Sequence, residues 1–221
     1  MNFTVTSAPF ALHGVAGLLM LVCLYTQARK AAWRELAASP ALHRWLGAIL
    51  LIAVLWSLRG RLAPGFNLHL IGAALVTLMF GLPRAVFALT AGAVISTITT
   101  GGDWLALPLN LVTAGLLPAW IAAHALGVVE RRLPAHFFIY IFIAGCMNSA
   151  IGVLAVGVLA TLILAAGDVQ PLQWLVSEYA PFFLLLAFAE AWLTGMALTL
   201  MVVYRPDWVA SFDDRRYLVG K

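Results

Sequence analysis

The sequence predicts an all-α, polytopic membrane helix bundle of about seven transmembrane helices, with the N-terminus outside and the C-terminus inside. Three observations carry this. First, 63% of the 221 residues are hydrophobic and only 10% are charged, where an ordinary soluble domain carries about 25% charged residues. The mean hydropathy is +0.99. Second, the charges gather in short stretches between long uncharged runs, as in helices whose sides face lipid and whose ends face water. Third, those charges are unevenly shared between the two sides that alternate loops define.

The uncharged runs are residues 1–28, 45–58, 62–83, 85–102, 104–129, 133–167 and 179–204. Most hold the roughly 17–25 apolar residues that one helix needs to cross the hydrocarbon. They place spans near 10–28, 43–58, 68–83, 85–101, 105–128, 137–165 and 181–204, all within one transmembrane domain, 1–221. The second run, 45–58, is the shortest, so Arg44 and Arg59 at its ends have to reach back to the interface. In the third, Pro64, Gly65 and Asn67 predict a helix that starts at Asn67 or Leu68.

Counted by alternate loops, one side receives Arg29, Lys30, Arg34, Arg44, Arg84, Arg131, Arg132, Arg205, Arg215, Arg216 and Lys221. The other receives only Arg59 and Arg61. Basic residues favour the cytoplasmic side. This orients the chain and favours an odd number of spans. The net charge of +4 then reflects topology, and nucleic-acid binding is a poor reading. No basic stretch precedes the first apolar run, so the first span is expected to be retained. The expected location is the bacterial inner (plasma) membrane, as a multi-pass protein in the lipid bilayer.

Polar residues inside spans are costly, so each needs a reason. His13, His69, Asn110 and Asp103 fall near the outer face. Asn148 and Glu190 fall deep in their spans. Glu190 stands in FFLLLAFAEAWLTGM among apolar neighbours. It is expected to be protonated, or to face the bundle interior and a partner there, with Asn110, Asn148 or a histidine as candidates. It is either a structural hydrogen-bond anchor or a functional ligand. Cys23 and Cys146 lack any CxxC spacing and read as small apolar residues.

Small residues recur four apart at Ala88, Gly92 and Ser96, a spacing that lets helix backbones approach closely. The loop 29–44 mixes Arg, Glu, Trp and Ala and suits a short amphipathic helix at the interface. Neither HExxH nor GxxxxGK[ST] occurs in the chain. An intramembrane enzyme would need paired catalytic groups at one depth, and none is evident.

The segments HLIGAALVTLMFG, GGDWLALPLNLVTAGLLPAW and FAEAWLTGM, in this order over residues 60–205, resemble the CbiM/NikM type of energy-coupling-factor transporter permease. The resemblance implies a non-enzymatic, substrate-binding membrane subunit of a cobalt or nickel uptake system. Its partners would be a membrane scaffold subunit and ATP-binding cassette ATPases, and its transported substrate a divalent Ni or Co ion. It further implies a planar nitrogen site at the outer face, a geometry that suits Ni(II). The implied ligands are the amino group of Met1, the residue at position two, and His69 at the opening of the third span. Position two is Asn2, which lacks the family's imidazole, and His13 is the nearest substitute. An accessory subunit without a substrate of its own is the alternative that this departure keeps open.

Overall fold

The computed structural model describes residues 3–63 and 66–217, and of Arg61 and Ala63 only the backbone. The chain is almost wholly helical. Helix α1 spans Phe10–Ala28, α2 Trp33–Ala37 and α3 Ala41–Ser57. A small antiparallel hairpin follows, β1 Gly60–Ala63 with β2 Phe66–Leu68. Then come α4 Ala73–Thr100, α5 Leu107–Arg132, α6 Phe137–Ala166 and α7 Leu172–Tyr204. A four-residue helix, α8, closes the described chain at Asp214–Tyr217. Helices α1, α4, α5, α6 and α7 are long and apolar enough to cross a membrane, and α3 is a shorter apolar helix.

The hairpin is a departure from the expected helix start. The segment Phe66–Leu68 is strand, paired with Ala63, Arg61 and Gly60, and helix begins only at Ala73. Gly72 separates the two with φ +68, a left-handed conformation that side chains with a Cβ disfavour. An added Cβ there would also lie 2.8 Å from Cδ1 of Ile52.

Helix α4 is two limbs. Gly81 sits inside it at φ 75 and ψ 157, far from helical values, with Pro83 just beyond. The limbs fold back on each other. Ile52 of α3 touches the Cβ positions of both Gly72 and Gly92. In a straight helix those residues would be about 30 Å apart. We call the limbs α4a, residues 73–80, and α4b, residues 82–100. With this reversal the bundle is built from α1, α3, the two limbs of α4, α5, α6 and α7.

One end carries the N-terminal segment, the hairpin and the α4–α5 and α6–α7 connections. At the other end Arg84, at the turn between the limbs, orders the loop after α1. Its guanidinium donates to the carbonyls of Ala31 (2.8 Å) and Ala32 (3.3 Å) and pairs with Glu35 at 3.6 Å. Trp45 Nε1 donates to the Arg84 carbonyl at 3.0 Å. The tail after α7 folds back onto this same end, where Arg44 pairs with Asp207 at 2.8 Å.

The apolar interior divides accordingly. A large cluster fills the first end and the middle, including Phe3, Trp56, Phe66, Ile71 and Tyr179. A smaller one, with Leu78, Val129, Tyr140, Ile141, Ala144 and Leu198, closes the opposite end together with Val209, Phe212 and Tyr217 from the tail. Burial pushes the Tyr217 phenol above its ordinary range, so it stays neutral. The outside of the bundle is apolar as well: Leu18, Leu21, Phe188, Trp192 and Tyr204 are all more than half exposed. Such a surface needs lipid around it.

Candidate functional site: a buried mouth under the N-terminal segment

The stretch between β2 and α4a gathers an unusual set of hydrogen bonds. His69 is buried, and its ring lies 5.2 Å from that of Trp56. Nδ1 of His69 is 2.9 Å from the carbonyl of Leu70. A ring nitrogen facing a carbonyl carries the proton, which in the neutral ring puts the lone pair on Nε2. Metal-ligating histidines are commonly oriented in this way, by a second-nitrogen bond to a backbone carbonyl. The indole N–H of Trp56 donates to the carbonyl of Ile71 at 3.0 Å.

Glu190 reaches the same stretch from α7. Its carboxylate accepts from the N–H of Ile71, and from the N–H of Gly72 at 3.1 and 3.2 Å to its two oxygens. The Gly72 amide is the first of those that the start of α4a leaves without an intrahelical partner. A carboxylate at a helix N-terminus also complements the helix dipole. Glu190 is therefore a cap, and its partners are backbone amides rather than Asn110, Asn148 or a histidine. It holds the turn that carries His69.

A second set of residues holds the N-terminal segment. Asn110 binds Phe3 at both backbone groups: Phe3 N–H donates to Oδ1 at 2.7 Å, and Nδ2 donates to the Phe3 carbonyl at 3.0 Å. Asp103 accepts from Val5 N–H at 2.7 Å and from Leu105 N–H at 3.0 Å. Nε2 of His13 lies 3.2 Å from the Val5 carbonyl. Its Nδ1 is buried and has no hydrogen-bond partner among the described residues. Gly167 closes the cradle, since a Cβ on it would stand 2.6 Å from the Ser7 carbonyl oxygen. Phe3 is buried in the same apolar cluster as Trp56 and Ile71.

The predicted polar residues thus fall into three groups. His69 and Glu190 meet at residues 69–72. Asp103, Asn110 and His13 meet at residues 3–5. Asn148 stands apart: it donates to the carbonyls of Ala122 and Ala144, both at 3.1 Å, and joins α6 to α5. Met1 and Asn2 lie outside the described residues. Among the described residues no three His, Cys, Asp or Glu side chains group closely enough to hold a metal ion. Sequence reasoning missed Trp56 and Gly72. The sequence marks this turn only by Gly72, three residues beyond His69 and inside a span expected to start at Asn67 or Leu68.

Fold and site together define a multi-pass membrane protein with a polar mouth inside an apolar bundle, the architecture of a transport subunit. The model of the CbiM family, described as the cobalt uptake substrate-specific transmembrane region, matches residues 7–208, and the chain belongs to that family. The family is the substrate-binding membrane component of energy-coupling-factor cobalt and nickel transporters. Among solved structures, one described as a transition metal transporter superposes with a TM-score of 0.74 at 17% identity. It covers 91% of this chain and 92% of its own. Another, described as a truncated transition metal transporter, has a TM-score of 0.75 at 17% identity and covers 92% and 99%. At that identity the likeness shows the shared fold. No curated protein matches the chain.

Proposed function

We propose that this chain receives a divalent cobalt or nickel ion at the mouth beside His69, under the N-terminal segment. The observation that carries the reading is the tethering of residues 3–5 by Asn110, Asp103 and His13. It holds the described segment from Phe3 onward against the bundle, with Phe3 buried in the same apolar cluster as Trp56 and Ile71. The ligands of this reading are the amino group of Met1, backbone and side-chain donors of Asn2, and His69 Nε2. His13 is the further candidate, through Nδ1. The chain would cross a bacterial inner membrane seven times, N-terminus outside and C-terminus inside. ATP hydrolysis would come from separate ATP-binding cassette ATPases, joined to this subunit through a membrane scaffold.

Asn2 supplies no imidazole, so the donor set is one strong nitrogen short. The wild-type chain is expected to bind Ni or Co weakly or not at all, and Asn2→His to bind at least tenfold more tightly. Calorimetry on the wild type, Asn2→His, and Asn2→His combined with His69→Ala tests this. Gain in the single variant and its loss in the double variant support the site. Tight wild-type binding that survives His69→Ala would place the metal elsewhere. Acidification should weaken whatever binding is found, because a metal needs the unprotonated ring.

The missing imidazole also favours a second reading, an accessory subunit without its own substrate. Absence of metal from both the wild type and Asn2→His would support that one.

A further inference from the structure

Limb α4a is too short to hold itself. Isolated helices below about 12–15 residues are marginal in water, and each helix end leaves several backbone groups unpaired. Both ends of α4a are closed from outside, and by one continuous stretch of chain. At its start, Glu190 of α7 takes the amides of Ile71 and Gly72. At its finish, Gly81 interrupts the helical ladder and Pro83 has no N–H to offer the Met79 carbonyl four residues back. The tail that follows α7 supplies what is missing. The N–H of Ala210 donates to the Met79 carbonyl at 3.0 Å, and the N–H of Ser211 to the Leu78 carbonyl at 3.2 Å.

The tail end of this arrangement is itself held. The Ser211 hydroxyl donates to the Leu78 carbonyl at 2.9 Å. Its single proton is then used, so the Tyr140 hydroxyl, 2.7 Å away, donates to it. The rings of Tyr140, Phe212 and Tyr217 pack together at 5.0–5.1 Å. Arg44 binds both the carboxylate and the carbonyl of Asp207. Arg216 donates to the Glu130 carbonyl at 2.8 Å.

We propose that α7 and its tail, residues 205–217, form a bracket around α4a that couples the mouth at Ile71 and Gly72 to the opposite end of the bundle. A packed rod of eight residues has no slack. A change in the grip of Glu190 on its start shifts its finish, and with it the carbonyls on which Ala210 and Ser211 rest. The exposed run Asp213, Asp214, Arg215 and Arg216 then presents the state of the mouth at the other face. The coupling takes its purpose from the substrate reading above, but its test uses no metal, so the two can fail separately.

The test is amide hydrogen exchange, read residue by residue on the full chain in lipid nanodiscs, with the middle of α6 as internal reference. In Glu190→Leu the amides of Ala210 and Ser211 should exchange at least tenfold faster relative to α6. In Ser211→Pro the amides of Ile71 and Gly72 should do the same. Glu190→Gln keeps one acceptor and should speed the tail at least threefold, and it serves if the leucine variant does not fold. Ser211→Ala serves in the same way for the proline variant, with at least a threefold rise at the mouth. Tail amides that stay within twofold of wild type while Ile71 and Gly72 open would overturn the bracket. So would a rise in α6 equal to that in the tail, which is general loosening.

Discussion

At the scale of single residues, Glu190 shows what a sequence can and cannot say. Its position among leucines and phenylalanines requires a buried partner, and that need was legible. The partner was not, because backbone amides leave no signature in the side-chain code. A carboxylate holding two amides predicts a clear contrast. Glu190→Gln retains one acceptor and should lower the melting temperature only slightly. Glu190→Leu leaves buried N–H groups unpaired and should cost about 1–3 kcal/mol, read as a lower melting temperature in detergent. Equal melting temperatures for the two variants would show that the cap contributes nothing. Gly72 offers an independent check. In Gly72→Ala the left-handed backbone costs about 1–2 kcal/mol, and the new methyl meets Ile52 Cδ1. That variant should melt below Glu190→Gln. Asn148, by contrast, pins α5 to α6 and has no place at the mouth.

At the scale of elements, the uncharged runs located the helices because burying a charged side chain in hydrocarbon is expensive. The same signal is blind to the direction of a backbone inside one apolar run. It therefore gave no warning of the paired strands Gly60–Ala63 and Phe66–Leu68 or of the helix that starts only at Ala73. Asn110 and Asp103 were legible as polar residues near one face. Their role was not, since their partners Phe3 and Val5 lie about a hundred positions away in the chain. The tether yields its own prediction. Asn110→Ala combined with Asp103→Ala removes three of the bonds to residues 3–5 and should release that segment. A protease that cuts after Phe3 should then act on the variant much faster than on wild type, with the helical circular dichroism unchanged. Unchanged cleavage would mean that Phe3 is held by its apolar pocket alone. Gly167→Val should release the same segment by a different route, through collision with the Ser7 carbonyl.

At the scale of the whole molecule, the lopsided basic residues and the reversal inside α4 make one joint prediction. A cysteine at Trp104 and another at Asp213, both exposed, should label from opposite sides of the membrane, the first from outside. Labelling of both from one side would overturn the expected topology.

The shortness of α4a has a consequence for permeability. Its eight residues span about 12 Å, against roughly 30 Å of hydrocarbon in a bilayer. The mouth at Gly72 lies level with Ile52 and Trp56 of α3, while Arg84 and Trp45 mark the far end. The mouth is thus separated from the turn at Arg84 by little more than the length of α4a. What remains between it and the far side is a thin plug built from Leu78, Val129, Tyr140, Ile141, Ala144 and Leu198. A barrier of that thickness insulates only while it is packed without gaps. Leu78→Ala or Leu198→Ala, harmless in a thicker wall, should turn proteoliposomes leaky to protons, as a collapsing pH gradient would show.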